Sequence, residues 1–158
     1  MTEDWAPGLA DGRQSPAARR IIRGTRRLLR SMGFASLCEV PLRSGRRADI
    51  VALGGKGEIW IVEVKSSLAD FRADDKWPDY HLHCDRLFFA TSPEVPAEIF
   101  PSDVGLIIAD AFAGAFEREA PLNPLAPATR REVLLRFSRL AADRLLMLDD
   151  PGLPLAPG

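Results

Sequence analysis

The stretch RRADIVALGGKGEIWIVEVK, residues 46–65, constrains the fold more than any other part of the chain. Two runs rich in β-branched and apolar residues, RADIVAL (47–53) and EIWIVEVK (58–65), flank the short connection GGKG (54–57). Glycines in so short a connection allow a tight reversal, so the stretch predicts an antiparallel hairpin. Its second run is β-branched and aromatic enough for a central strand. Folding the hairpin brings Asp49, near the start of the first strand, beside Glu63 and Lys65 at the end of the second. Glu63 and Lys65 are two apart on a strand and therefore share a face.

The flanking sequence builds outward from this hairpin. Ser15-Pro16 reads as a helix start, with Ser at the cap and Pro at the first helical position, and Gly33 as its stop. Ala18, Ile21, Ile22, Leu28, Leu29 and Met32 recur at three and four and form one stripe. Arg19, Arg23, Arg26 and Arg30 form another. SLCEVPLR (36–43) predicts an edge strand, because Pro41 cannot donate to a ladder. Ser67 with Asp70 resembles a capping box opening a short helix. DRLFFAT (85–91) and VGLIIAD (104–110) have strand length, and the crossover before the first is long enough for a parallel return. AFAGAFERE (111–119) suggests a last edge hairpin and PLNPLAP (121–127) a linker. Thr129 with Glu132 predicts the cap of a closing helix reaching about Leu148. The resulting expectation is an α/β fold, a mixed β-sheet flanked by helices in the order α-β-β-β-α-β-β-α. One domain spans 16–148, between flexible tails at 1–15 and 149–158.

Charge is distributed unevenly. The formal net charge is −1, yet Arg13 to Arg47 holds ten Arg and a single acid, Glu39. A local basic face can steer a polyanion whatever the total charge. No apolar run is long enough to span a bilayer, and no membrane partner is expected. The opening residues lack the basic start and apolar stretch of a signal peptide, and Cys38 and Cys84 are the only cysteines. Reduced thiols and a cytoplasmic location are the expectation.

Two carboxylates at one sheet end make a hard-oxygen site suited to Mg²⁺, which takes one or two protein carboxylates and keeps several waters. A Lys beside such a site can orient a water, help remove its proton, or offset charge on a phosphate. Unlike Arg, a Lys against apolar walls can lose its proton. The chain has only three Lys against eighteen Arg, and one of them stands here. The bland alternative is a surface ion-pair cluster of little energetic weight. Arg43, Arg46 and Arg47 precede Asp49, where a scissile phosphate would need cations, or else form a solvated turn. Asp70, Asp74 and Asp75 crowd near Lys76 and Trp77, which suggests either a charged, capped helix or support for Lys65. Trp77 and Tyr80 read as aromatic packing under the sheet rather than as stacking platforms for bases. His81, His83 and Cys84 lack a fourth ligand at zinc spacing.

RRADIVAL, EIWIVEVKSS, DFRADDKWPDY and CDRLFFA together resemble the MmcB-like family of DNA-repair endonucleases, within the PD-(D/E)XK nuclease superfamily. The resemblance covers roughly residues 17–110. It implies a restriction-endonuclease-like fold and cleavage of DNA that depends on Mg²⁺ or Mn²⁺, with other repair proteins as further partners. The implied catalytic set is Asp49, Glu63 and Lys65. The implied metal ligands are Asp49, Glu63 and the Val64 carbonyl. Ala48 stands where the superfamily motif has Pro. Many members also carry an acid on the first helix; this helix has none, so Glu39 is the substitute candidate. Arg19, Arg23, Arg26, Arg30, Arg43, Arg46, Arg47 and Lys76 are the expected DNA contacts, and Ser66, Asp70, Asp74, Trp77 and Tyr80 the supporting residues. Two other classes compete: a nuclease-like scaffold that binds DNA and recruits partners without cutting, and a purely protein-binding domain.

Overall fold

The computed structural model describes residues 14–154 and Pro157. Most of the expected N-terminal tail, and residues 155, 156 and 158 of the C-terminal one, lie outside the described residues. Helix α1 (Pro16–Ser31) is followed by strands β1 (Ala35–Pro41), β2 (Arg47–Leu53) and β3 (Ile59–Val64). A short helix α2 (Leu68–Ala73) and a 3₁₀ segment (Trp77–His83) lead to β4 (Arg86–Thr91). Strands β5 (Gly105–Ala109) and β6 (Gly114–Arg118) precede the closing helix α3 (Pro127–Asp149).

The six strands lie in sequence order in one mixed sheet. β1, β2 and β3 form the antiparallel meander, β4 and β5 run parallel to β3, and β6 turns back antiparallel on β5. β1 is an edge strand, where Pro41 with no N–H costs no ladder bond. Helices cover both faces. On one side Ile21, Ile22 and Leu29 of α1 pack on Ile50, Val62, Phe88 and Ile107. On the other, Val133 and Phe137 of α3 join Tyr80, Phe100, Val51, Ile61, Phe89 and Leu106. α1 lies close to the sheet because Gly24 faces the β5–β6 turn; a Cβ there would stand 2.0 Å from the Asp110 carbonyl oxygen.

Several local expectations require correction. Met32, placed on the packing stripe of α1, is 47% exposed, because the helix has ended and Met32 is its C-cap. Thr129 and Glu132 do not cap α3. Pro127 starts the helix earlier behind an Ala126 cap without a side-chain bond, and Glu132 pairs with Arg136 at 2.8 Å. In α2, Ser67 accepts from the Asp70 N–H as expected. The return bond is shifted by one residue: Asp70 Oδ2 accepts from the Ser66 N–H, 3.1 Å.

One irregularity prepares the site. Cys38 and Ile50 face the α1 core, whereas Val40 and Ala48, two residues away on the same strands, face the α3 core. Regular strand alternation would put such pairs on one face. The switch falls at Glu39, whose φ of +53° is left-handed and unfavourable for a residue with a Cβ. Outside groups hold it there. Arg144 of α3 donates to the Cys38 and Glu39 carbonyls, and Arg26 of α1 donates to the Ser36 carbonyl and hydroxyl at 2.9 Å. Opposite this kink stands Asp49.

Candidate functional site

The β2–β3 ladder ends at Ile50 and Val62, one step short of Asp49 and Glu63. Beyond it the carboxylates take over the backbone donors. The Asp49 N–H donates to Glu63 Oε1 at 3.0 Å, and the Val64 N–H donates to Asp49 Oδ2 at 2.8 Å. Each acid thus satisfies a buried N–H of the other strand, and both are held at the rim by the chain that carries them. Lys65 continues the edge: its N–H donates to the Ala90 carbonyl, and its own carbonyl accepts from the Thr91 hydroxyl at 2.7 Å. Its Nζ lies 2.7 Å from Asp74 Oδ2, with the lysine only 6% exposed. Asp74 is itself oriented, since its Oδ1 accepts from the Lys76 N–H.

These groups sit at the carboxyl end of the parallel strands, where open α/β sheets place their ligand crevices. A cleft of about 410 Å³ opens there, lined by Asp49, Glu63, Val64, Lys65 and Arg47 of the sheet side and by Gln14, Ser15, Ala18 and Ile22 at the start of α1. Ser66, Asp70 and Tyr80 complete the wall. Tyr80 is buried, and its hydroxyl donates to the Arg47 carbonyl at 2.9 Å.

Burial is the largest influence on both acids. It raises Asp49 to about 6 and Glu63 well above its ordinary value, and the negative charge of Asp49 raises Glu63 further. Lys65 works in the opposite direction on both. Without a bound cation, the pair therefore retains protons that an unfolded chain would release. Where the folded state binds more protons, stability falls as pH rises, here from the ordinary carboxylate range through 6 and beyond. Glu63→Gln keeps an oxygen for the Asp49 N–H while removing the repulsion. In chelator at pH 8 it is expected to be more stable than wild type by about 2 kcal/mol, roughly 5 °C in Tm. At pH 4 the gain should vanish; thermal melts at both pH values measure the difference.

The other expected residues fare unequally. Arg47 reaches the cleft and pairs with Glu39 at 3.5 Å. Glu39 also accepts from Gln14 at 2.7 Å and does not join Asp49 and Glu63; no group of three metal-binding acids, His or Cys converges among the described residues. Arg46 is paired with Asp79 at 3.0 Å, and Arg43 lies exposed in the turn. Arg26 is bound to Ser36, a structural tie rather than a free cation. Arg23 lies over the Phe112 ring, Arg19 is half-buried, and Arg30 is exposed near the far end of α1. Ala18 and Ile22, not the Arg stripe, border the cleft. Lys76 is exposed outside it. Trp77 packs edge-on against Phe89, with ring centroids 5.2 Å apart. Cys84 is buried and donates to the Tyr80 carbonyl.

Sequence reasoning missed Asp85. It is buried at the start of β4 and takes both Arg130 guanidinium nitrogens, at 2.6 and 2.7 Å, plus the Ile59 and Leu125 N–H groups. Arg130 also donates to the Gly57 carbonyl in the hairpin turn. This fastens the hairpin, β4 and α3 together at the end of the sheet away from the cleft. Its partners stand 26 to 45 residues away, so no local signal announces it.

The fold and site define an α/β protein whose mixed sheet presents a carboxylate pair, Glu63 buried and Asp49 half-buried, and a buried lysine at the carboxyl end of its parallel strands. Comparison with known proteins gives the class a family. A family model described as "DNA repair protein MmcB-like" matches residues 6–152, and the chain belongs to that family. The solved structure of the SPO1766 protein of unknown function from Silicibacter pomeroyi is 46% identical, with a TM-score of 0.84 over 91% of this chain and 99% of that one. A repair endonuclease from Pyrococcus abyssi aligns over 53% of this chain and 40% of that one, at 18% identity and a TM-score of 0.35, too slight a likeness to support an argument. No curated protein matches the chain. Among the described residues, no helix is long and apolar enough to cross a membrane.

Proposed function

We propose that this chain is a metal-dependent nuclease of the PD-(D/E)XK type that hydrolyses phosphodiester bonds in DNA during repair. One observation carries the reading: the hairpin ladder opens where Asp49 and Glu63 cross-bond, and buried Lys65 lies at the same rim. Family membership supplies DNA repair as the setting.

The donor set fits Mg²⁺ or Mn²⁺. Burial raises the proton affinity of both carboxylates and the charge of Asp49 raises that of Glu63 further, so the pair favours a cation, and all the candidate donors are oxygen. Asp49, Glu63 and the Val64 carbonyl would hold the ion, while Glu39 stays with Gln14 and Arg47. When bound, such an ion offsets phosphate charge and lowers the pKa of water.

The remaining work falls to the chain itself. Asp74 fixes the Lys65 ammonium, which faces the cleft and can orient the attacking water or neutralise developing charge. Arg47, nearly half exposed at its side chain, is placed to meet an adjacent phosphate. The cleft has the volume of a small-ligand site, so it admits a phosphodiester and its neighbouring groups rather than a whole duplex.

The test is a panel of labelled DNA structures (nicked, branched, flapped and cross-linked) incubated with Mg²⁺, Mn²⁺ or chelator. Cleavage of at least one substrate, requiring metal and lost in Asp49→Ala, is expected. Salt-sensitive DNA binding with no product under any condition would replace this reading with the non-cutting scaffold.

A further inference from the structure

Helix α3 carries a face that the fold leaves uncovered. Only Val133 and Phe137 are buried, and Arg130 and Arg144 are spent on Asp85 and on the β1 kink. On the opposite side Arg131, Leu135, Ser138, Ala142, Leu145 and Asp149 are all exposed. Their spacing is four, three, four, three, four, so they form one seam along the helix. Leu135 is 49% exposed and Leu145 62%, with Leu146 and Leu148 beside them at 49% and 66%. A groove of about 540 Å³ runs along the first half of this face, past Arg131, Leu135 and Ser138.

The order of residues along the seam is what selects the partner. Read inward from its two ends, it is cation and anion, leucine and leucine, then two small residues. An antiparallel copy of the same helix, crossing near residue 140, sets Arg131 against Asp149, Leu135 against Leu145 and Ser138 against Ala142 of the second chain. By two-fold symmetry every contact occurs twice. The small central pair permits close approach, the leucines exclude water, and the ends carry opposite charges.

The helix dipole agrees. Acids belong at a helix N-terminus and cations at its C-terminus. α3 has no acid in its first turn and no base in its last, and instead begins with Arg130 and Arg131 and ends with Asp149 and Asp150. That order is unfavourable for a lone helix. Antiparallel pairing corrects it, bringing Arg131 of one chain to the C-terminal end of the other and Asp149 to the N-terminal end.

We infer that the outer face of α3 is a homodimer interface, formed by antiparallel packing of two copies along Arg131, Leu135, Ser138, Ala142, Leu145 and Asp149. The inference is independent of any nuclease activity, because the seam lies on the solvent side of a helix that does not line the cleft.

Light scattering and sedimentation equilibrium over a concentration series test it, on wild type, Leu145→Glu, Arg131→Asp, Asp149→Arg and the double reversal Arg131→Asp/Asp149→Arg. All these positions are exposed, so the fold should persist, and circular dichroism checks that it does. A wild-type dimer is expected, with dissociation constants raised about tenfold or more by Leu145→Glu and by each single reversal. The double reversal restores opposite charges and should bring dimerisation back to near the wild-type level. A wild-type chain that stays monomeric throughout overturns the inference. So does a dimer indifferent to Leu145→Glu, or one that the double reversal weakens as much as the two single changes combined.

Discussion

Replacing Lys65 by Ala is expected to slow DNA cleavage about 10³-fold while leaving DNA affinity within about threefold. The asymmetry follows from where the lysine sits. At 6% exposure, and held by Asp74 at 2.7 Å, its ammonium is too enclosed to serve as a general grip on the DNA backbone. On the proposed reading that grip comes from the exposed arginines through long-range charge, which contributes to ground-state and transition-state binding alike. Lys65→Arg should be nearly as harmful, because a guanidinium needs a wider, planar site. Single-turnover cleavage alongside a binding titration separates the two quantities. A Lys65→Ala variant that loses affinity in proportion to rate would mean that the lysine only binds DNA.

The second large effect is structural and lies at the opposite end of the sheet. Asp85→Ala is expected to destabilise the fold by about 3 kcal/mol, a fall of roughly 10 °C in Tm. The substitution strands the Ile59 and Leu125 N–H groups and leaves Arg130, 28% exposed, without its carboxylate. Partial access to water tempers the loss relative to a fully enclosed pair. Burial pushes Asp85 up, but Arg130 and the two backbone donors outweigh it and hold the carboxyl below its ordinary value. A depressed carboxyl stabilises above the ordinary carboxylate range, and that contribution is lost as pH falls through the folded value. The gap between wild type and Asp85→Ala should therefore narrow in acid. A gap unchanged between pH 7 and pH 3 would show that the carboxylate's charge is not what matters there.

How much of this was legible in the sequence depended on the range of each interaction. The hairpin was, because β-branched apolar runs and a glycine turn are local signals, and because Asp49, Glu63 and Lys65 follow from the same short stretch. The parallel return to β4 was legible from crossover length alone. Choices between equivalent neighbours were not. Thr129 looked like the cap of α3, but Pro127, two residues earlier, already has the φ of a first helical turn. The Arg stripe of α1 read as one surface, yet Arg26 is turned into Ser36 on β1, a contact set by how the helix lies on the sheet. Glu39 was placed on the right strand, but its left-handed backbone depends on Arg144, more than a hundred residues onward. Asp85 was invisible for the same reason: what makes it important is a set of donors distant in the chain.

Calorimetric titration of Mn²⁺ into wild type, Asp49→Asn and Glu63→Gln, in buffers of different ionisation enthalpy, measures the site most directly. Ligand carboxyls must shed their protons to bind a cation, so wild type should take up the ion with release of protons held by the pair, and more tightly as pH rises. Either substitution should weaken binding at least about tenfold and reduce the proton release. Equal Mn²⁺ affinity and equal proton release in all three chains would contradict the assignment of Asp49 and Glu63 as a joint cation site, and the proposed chemistry with it.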